Sequence, residues 1–337
     1  MTTYSESFKC PSRGMGRPQI VLYGNGLERV EGQQSWEDLL NSLCANGTTE
    51  LTKNDSRLNI PFPLLYQLLS TPHPAPSTLT MQDINDEEKR LKEGLSRLSS
   101  NRLTLLDKLT KLNADHIFTT NYSYCLERSF FTESDFSKSR VRTNKRFCLL
   151  PGRNGKQYCE TYYRLHTGYL AHNDDGSKVG LWHIHGEMTV PKGVIVGHDR
   201  YGRLLGRIQD CCASHRYRGK AENTVLQSLT SWPEIFLFGD VYIVGFGFYT
   251  CETDLWWLLR RKQREQHADG KVYFFTNDTG NNDRDELLKA HGVQINDGVN
   301  KCGGDYEEFY RNALSRIEEL INTNRDSYTS DRGWIES

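Results

Sequence analysis

Short runs of β-branched and aromatic residues recur along this chain, and they constrain its fold more than any other feature. Each run is a few residues long and largely apolar, which is typical of strands buried on both faces of a sheet. The predicted strands lie at residues 19–23, 116–120, 193–197, 241–245, 272–276 and 293–296.

Amphipathic helices are predicted between several of these strands. Trp36, Leu39, Leu40 and Leu43 follow the spacing of one helical face, and Ser35 precedes them as an N-cap. Further helical patterns lie at 91–112, 255–259 and 309–321. Strands that alternate with helices predict an α/β fold with a mainly parallel sheet flanked by helices.

Two stretches fit poorly into this alternation. Residues 54–112 contain several prolines before their helical pattern, and residues 132–180 are polar and basic and contain glycine. Both are predicted to be insertions that form a small helical or cap module on one domain spanning residues 1–321. Residues 322–337 are polar and are predicted to form a flexible tail.

Charge and cysteine spacing exclude several classes of protein. The chain has 42 basic and 43 acidic residues, and this net charge of -1 argues against a dedicated nucleic-acid binder. Its nine cysteines contain no CxxC pair, which excludes a zinc ribbon, and their odd number argues against a disulfide framework. No apolar run approaches the ~18 residues of a membrane span, and residues 1–9 lack the apolar core of a signal peptide. We therefore predict a cytoplasmic protein that does not enter a membrane.

The first candidate site is Gly24-Asn25-Gly26, directly after the first predicted strand. Glycines there allow ligand phosphates to approach backbone N–H groups. The third glycine of a GxGxxG motif is missing, because Arg29 occupies its position. The loop can equally be a tight turn between a strand and a helix.

The second candidate is the carboxyl end of the predicted strand 116–120, where doubly wound sheets bind their ligands. Thr119, Thr120, Asn121 and Ser123 lie there. Threonine and asparagine can hold ribose hydroxyls or a water molecule by neutral hydrogen bonds. The alternative is that Asn121 only caps the helix that follows.

The third candidate is a pair of histidines, His183 and His185, on one face of an extended segment. Histidine is the usual general base near neutral pH, and Gly186 permits a close approach beside His185. No further ligand follows at a familiar metal-binding spacing, so we predict no metal site. The alternative is a buried histidine whose hydrogen bonds are satisfied by the backbone.

The fourth candidate is Gly245 and Gly247, at the end of another predicted strand and shortly before Glu252 and Asp254. Two glycine-bearing turns after two strands are what a dinucleotide requires. One turn can receive the pyrophosphate and the other can pack beside the adenosine.

The order of these motifs resembles a known family. The motifs are GNG at 24–26, WEDLL at 36–40, PFPL at 61–64, FTTNY at 118–122, HIHGE at 183–187, GHDRY at 197–201, GFG at 245–247 and DLWWLL at 254–259. Together they are similar to the sirtuin-like domains of prokaryotic anti-phage defence proteins, over residues 19–321. The abortive-infection H family has a similar glycine-rich start, a similar Asn-Tyr motif and a similar His-Gly motif.

The resemblance implies a Rossmann-like domain that binds NAD at the carboxyl edge of its sheet and hydrolyses it to nicotinamide and ADP-ribose. In the family pattern Asn121 orients the nicotinamide ribose and the attacking water, and His185 is the catalytic base. Asn277 would hold the adenosine ribose. The other residues predicted to bind NAD are Gly24, Asn25, Gly26, Thr119, Thr120, Ser123, Gly245 and Gly247.

The resemblance also implies a biological setting. An unregulated NAD hydrolase would poison its host, so we expect an abortive-infection effector that stays inactive until a partner protein or a nucleotide signal activates it. Effectors of this kind often assemble, so a homo-oligomer is expected. NAD is a substrate in this interpretation, and no metal is required.

Two departures from the family pattern keep alternatives open. Ser123 stands where the family usually has Asp, so we expect a compensating acid such as Glu28 or Glu187. Without one, the site would bind NAD, ADP-ribose or another nucleotide without turnover. The missing zinc ribbon, which deacylating sirtuins use to brace their peptide cleft, favours hydrolysis over deacylation.

Overall fold

The computed structural model of the protein describes residues 16–52, 55–131, 146–148, 163–278, 280 and 282–330. The strands are β1 (Gln19–Tyr23), β2 (His116–Thr119), β3 (Arg146–Cys148), β4 (Thr167–His172), β5 (Lys178–His183), β6 (Asp240–Val244), β7 (Val272–Phe275) and β8 (Val293–Ile295). The helices are α1 (Asn25–Arg29), α2 (Trp36–Asn41), α3 (Phe62–Ser70), α4 (Met81–Ser96), α5 (Thr104–Asp107), α6 (Cys125–Phe130), α7 (His198–Cys211), α8 (Glu222–Gln227), α9 (Trp232–Phe238), α10 (Thr253–Lys262), α11 (Asn282–Ala290) and α12 (Tyr306–Ser330).

The described strands form one sheet in the order β3-β4-β5-β2-β1-β6-β7-β8. Neighbouring strands from β5 to β8 are parallel, and β3 and β4 form an antiparallel edge. The predicted Rossmann-like α/β fold with a mainly parallel sheet is therefore confirmed. Because β1 pairs with β2 on one side and with β6 on the other, its carboxyl end lies at the point of the sheet where ligands bind in such folds.

Apolar clusters cover both faces of the sheet. Alternate residues of β1 separate them, as the pleat requires. Ile20 and Leu22 pack with α7, α9 and α10, whereas Val21 and Tyr23 pack with α5 and α12. None of the helices in the described ranges is long and apolar enough to span a bilayer.

A third apolar cluster joins α2, α3 and α4 into a helical module. The module packs against Val194 and Val196, and its cluster includes Tyr122 from the loop after β2. Most of this module comes from the stretch 54–112 that was predicted to be an insertion. Its contact with Tyr122 places it beside the carboxyl edge of the sheet.

Residues 193–197 are largely buried, but they do not form the predicted strand. A 3-10 turn at Pro191–Gly193 precedes them, and their backbone contacts other loops instead of a strand. The amide of Ile195 donates to the carbonyl of His185 at 2.8 Å, and the carbonyl of Ile195 accepts from the Tyr122 hydroxyl at 2.6 Å. The apolar pattern therefore reflects burial of a loop that supports the site.

The position beside β2 belongs to β5. The stretch predicted to be the second insertion contains β4 and the first three residues of β5. Gly180 interrupts the apolar pattern of β5 for a steric reason, because a Cβ atom there would lie 2.6 Å from Nδ1 of His116. The stretch 132–180 is therefore partly sheet. Its residues 132–145 and 149–162 lie outside the described residues.

The last helix, α12, continues to Ser330 and so enters the predicted flexible tail. The Asn324 amide donates to the Tyr242 hydroxyl at 2.8 Å, and Arg325 pairs with Asp115 at 2.9 Å. These contacts hold this part of the chain against the sheet, and its backbone is helical as far as Ser330. Residues 331–337 lie outside the described residues.

We expect the substitution His116→Asn to make the stability of the protein less sensitive to acid. Burial lowers the pKa of His116 to about 3, while Nδ1 accepts a hydrogen bond from Nε1 of Trp182 at 3.2 Å. The unfolded chain takes up this proton near pH 6.5 and the folded chain does not. The wild-type protein therefore loses up to roughly 1.4 kcal/mol of stability per pH unit as the pH falls from about 6.5 toward 3.

Urea unfolding of both proteins between about pH 7 and pH 4 measures this difference. Asparagine retains an acceptor for Trp182, so the comparison isolates the titration of the imidazole. An equal loss of stability in both proteins would contradict the prediction.

Candidate active site

A cavity of about 520 Å³ lies at the carboxyl edge of the sheet, beside the ends of β1, β2, β5, β6 and β7. Helices α2 and α3 contribute further lining through Trp36, Phe62 and Leu65. The predicted site residues that line it are Asn25, Gly26, Thr120, His185, Gly245, Gly247 and Asn277. The volume lies within the ~300–1,000 Å³ typical of pockets for small molecules and cofactors.

The two glycine loops pack directly against each other at this cavity. The amide of Gly26 donates to the carbonyl of Gly245 at 2.8 Å. A Cβ on Gly24 would lie 2.8 Å from the Gly245 carbonyl oxygen, and one on Gly26 would lie 2.4 Å from the Tyr310 hydroxyl. Gly245 has a φ of 63°, in the left-handed region that favours glycine. The glycines therefore permit close contact between the two loops.

Asn121 is fixed by a buried acid of helix α1. Its Nδ2 donates to Oε1 of Glu28 at 2.7 Å, and Ser123 Oγ donates to Oε2 of the same carboxylate at 2.8 Å. The Tyr23 hydroxyl adds a third hydrogen bond at 3.2 Å. Burial raises the pKa of Glu28, and the hydrogen bonds from Asn121 and Ser123 act in the opposite direction.

This arrangement decides which way the Asn121 amide faces. A carboxylate only accepts hydrogen bonds, so Nδ2 must face Glu28 and Oδ1 must face away. Oδ1 is buried and has no hydrogen-bond partner among the residues that the structure describes. Asn121, Ser123 and Glu28 line a small cavity of about 40 Å³ that shares Asn25, Trp36 and Tyr122 with the lining of the large one.

Of the two acids expected to compensate for Ser123, the structure places Glu28 beside it. Glu187 is occupied elsewhere, because it forms an ion pair with Arg164 and accepts from the Tyr124 hydroxyl at 2.7 Å. Gly24 and Thr119, which were also predicted to bind the ligand, are not among the residues that line either cavity. Thr119 instead shapes the loop, since its Oγ1 accepts a hydrogen bond from the backbone N–H of Asn121 at 3.0 Å.

His183 is held inside the protein by two acceptors. Nδ1 contacts the carbonyl oxygen of Asn121 at 2.8 Å, and Nε2 contacts Oε1 of Glu127 at 2.8 Å. Both partners are oxygen atoms, so the protonated ring, with a donor on each nitrogen, satisfies both contacts. Burial opposes this charge, but the Glu127 carboxylate outweighs it and raises the pKa of His183. His183 is thus a structural residue and has no nitrogen left to accept a proton.

His185 faces the large cavity and is oriented by an acid from α10. Its Nε2 lies 2.9 Å from Oδ2 of Asp254 and 3.9 Å from Oε2 of Glu252. Burial alone would lower the pKa of His185, but the neighbouring Asp254 carboxylate raises it. Burial raises the pKa of Glu252 to about 7, and Glu252 accepts from the Tyr201 hydroxyl at 2.9 Å. Because Nε2–H donates to Asp254, Nδ1 is the nitrogen that can accept a proton.

Asn277 lines the cavity, but its amide is committed to the protein. Nδ2 donates to the carbonyl of Gly303 at 2.8 Å, and Oδ1 accepts from the amide of Cys302 at 2.8 Å. Both functional groups hold the 302–303 loop. In this arrangement the amide shapes the pocket wall. Each of its two groups can form one further hydrogen bond, so the contact with ribose stays a prediction.

Several lining residues received no predicted role. Arg29 brings positive charge to the cavity, whereas Arg284 is paired with Asp278 and Asp285. Tyr249 adds an aromatic surface that is largely exposed. Asp254 was noted only as a neighbour of the second glycine turn. The sequence signal that could have identified Arg29 and Asp254 is their position, since each follows a glycine turn at the end of a buried strand.

A comparison with curated proteins finds no match for this chain. The sequence pattern of the SIR2-like domain family matches residues 115–296, which run from the start of β2 to just beyond β8 and include Asn121, His185 and Asp254. The match covers more than half of the 337 residues, so the chain belongs to the SIR2-like domain family.

Proposed function

We propose that this protein is an NAD glycohydrolase that works in the cavity at the carboxyl edge of the sheet. SIR2-like domains are in general NAD-dependent enzymes, which supports NAD as the substrate. The observation that carries the proposal is the pairing of two preoriented groups at adjoining cavities. Asn121 is fixed by Glu28, and His185 is fixed by Asp254.

The reaction breaks the bond between the ribose C1′ and the nicotinamide nitrogen, and the bonding electrons leave with nicotinamide. Water adds to the oxocarbenium-like C1′ and loses one proton, which gives ADP-ribose. Nδ1 of His185 would take this proton, and Asp254 would stabilise the imidazolium that forms. Such general-base assistance is worth about 10²- to 10⁴-fold in rate.

Asn121 would hold the group that reacts. Its buried Oδ1 lacks a donor, and a ribose hydroxyl or the attacking water can supply one. Leaving a buried acceptor unpaired costs about 1–3 kcal/mol, so a ligand that supplies the hydrogen bond is favoured. Arg29 in the cavity lining provides charge of the sign that a pyrophosphate needs.

The setting proposed for this activity is an anti-phage effector. In this proposal the enzyme is a homo-oligomer that stays inactive until a partner protein or a nucleotide signal activates it. The order of motifs along the chain supports this setting. Consumption of NAD would then arrest an infected cell.

Release of nicotinamide by the purified protein tests the proposal. NAD is incubated with the protein alone and with candidate activators, and products are separated by chromatography. We expect nicotinamide and ADP-ribose in equal amounts, and we expect Asn121→Ala to lower the rate by at least about 10²-fold, since positioning is lost. The matched control is Asn312→Ala, because Asn312 is exposed on α12 and is not among the residues that line either cavity.

A second candidate is a module that binds NAD or ADP-ribose without turnover. The observation that favours it is the residue at position 123. It is a serine whose hydroxyl donates to Glu28, so position 123 itself supplies no acid. Calorimetry with recovery of the ligand separates the candidates. Tight binding with intact NAD under every activating condition would favour the module and refute the hydrolase.

A further inference from the structure

His185, Glu252 and Asp254 form a compact cluster of metal-ligating atoms at one side of the large cavity. One nitrogen or oxygen from each side chain lies within 4.8 Å of the other two. The exposed fractions of the three side chains are 3, 12 and 0%. Two carboxylates that face one imidazole in so little solvent favour a group that carries positive charge.

The spacing of these atoms fits a small transition-metal ion. Ligand atoms at about 2.0–2.2 Å from a tetrahedral zinc ion lie roughly 3.4 Å from each other. Nε2 of His185 is 2.9 Å from the Asp254 oxygen and 3.9 Å from the Glu252 oxygen, so the observed distances lie on either side of this value. Small side-chain rotations would therefore give three ligands at bonding distance.

A second observation points to a missing ligand at the same place. Within the described part of the chain, Oδ1 of Asp254 is buried and has no hydrogen-bond partner. An ion that bridges toward this carboxylate would satisfy it. His185 and Glu252 also line the cavity, so a fourth coordination position would face its interior.

We propose that His185, Glu252 and Asp254 bind a divalent transition-metal ion of the zinc class, and that the bound ion inhibits the enzyme. The inhibitory half of this proposal rests on the proposed function, whereas the binding half does not. A site with one imidazole and two carboxylates suits zinc, because Mg²⁺ demands near-ideal octahedral geometry and oxygen ligands.

Inhibition follows from the two nitrogens of His185. A metal on Nε2 displaces the proton that Nε2 donates to Asp254. A neutral imidazole ligand then carries its remaining proton on Nδ1. In the proposed function Nδ1 takes the proton from the attacking water, and an Nδ1 that is already protonated cannot do so.

Competition between the full-length protein and a chromophoric zinc chelator tests the binding half. Protein that has been freed of metal is titrated with Zn²⁺, and the same titration is run with Mg²⁺. We expect one tight Zn²⁺ site, a more than tenfold loss of Zn²⁺ affinity in Glu252→Gln and in Asp254→Asn, and no comparable Mg²⁺ binding. A Zn²⁺-dependent rise in Tm of the wild type, absent from both variants, is expected as well.

The matched control is Cys251→Ser, since Cys251 lines the same cavity next to Glu252 and thiols also bind zinc. Circular dichroism verifies that every variant is folded. If Cys251→Ser loses the tight site while Glu252→Gln keeps it, or if wild-type protein has no tight site, the proposal is wrong.

Nicotinamide release at increasing Zn²⁺ tests the inhibitory half. Inhibition of the wild type at the concentration that fills the site is expected. Active enzyme that binds Zn²⁺ at this site without losing rate would overturn inhibition. A protein that binds Zn²⁺ here but never hydrolyses NAD would retain the site and refute the proposed function together with inhibition.

Discussion

Replacing His185 by alanine is expected to lower the rate of NAD hydrolysis by about 10²- to 10⁴-fold, the usual contribution of a positioned general base. His185 lines the cavity, and its Nε2 is held 2.9 Å from Asp254, which leaves Nδ1 as the nitrogen that can accept a proton. Alanine removes the nitrogen that accepts the proton from water, and it leaves Asp254 as an unpaired buried carboxylate. The variant should therefore lose rate and also some stability, which unfolding in urea would reveal.

The companion variant Asp254→Asn keeps the imidazole and removes the charge that fixes its orientation. An asparagine can offer its N–H groups to His185, which would place the proton on Nδ1 and remove the base. We expect a loss of rate of the same kind, measured by nicotinamide release at saturating NAD. The matched control for His185→Ala is His198→Ala, because His198 is exposed at the start of α7. A His185→Ala protein that is folded and as active as the wild type would rule out the base.

The strands that could be predicted from the sequence are those whose own residues carry the strand pattern. β1, β6 and β7 are buried throughout, because both faces of the sheet are covered there, and they are apolar except for Gln19 and Asp240 at their first positions. β5 escaped prediction because Gly180 breaks its pattern to make room for His116 on β2. That requirement comes from a neighbouring strand and leaves no local signal. Conversely, the loop at 193–197 was predicted to be a strand because it is apolar. Its residues are apolar because the loop is buried, and not because it pairs with a strand.

The individual polar residues of the site were predictable, but their partners were not. Asn121 meets Glu28 across 93 residues, and His185 meets Asp254 across 69. Each contact exists because parallel strands bring their carboxyl ends to one edge, and residue spacing does not encode it. The same limit applies to the cluster proposed to bind zinc, since no sequence spacing joins His185 to α10.

The glycines show a further limit of interpretation from sequence. A glycine turn after a strand indicated a close approach, and the structure shows that one approaching group is the other turn. Leu27 is fully buried beside Gly245. The pocket wall is therefore built from two loops that depend on each other, which makes its stability measurable through a single glycine.

We expect Gly245→Ala to destabilise the protein by about 2–5 kcal/mol. An L-residue in the left-handed region costs about 1–2 kcal/mol, and overpacking of a buried site adds about 1–3 kcal/mol. Both costs apply here, because Gly245 has a φ of 63° and its added Cβ would lie 2.1 Å from Cδ1 of Leu27 and 2.9 Å from its backbone nitrogen. The backbone nitrogen cannot rotate away as a side chain can, so the loop itself must move.

Urea unfolding of the variant measures this cost, and Gly206→Ala is the matched control. Gly206 lies within α7, and a Cβ there would have no neighbour within 4 Å. Alanine is the better helix former by about 1 kcal/mol, so the control should be as stable as the wild type or slightly more stable. An unfolding midpoint of Gly245→Ala equal to that of the control would show that the two loops do not constrain each other. A lower midpoint, together with weaker NAD binding by the fraction that remains folded, is the result expected if the packing of Gly245 against Leu27 shapes the pocket.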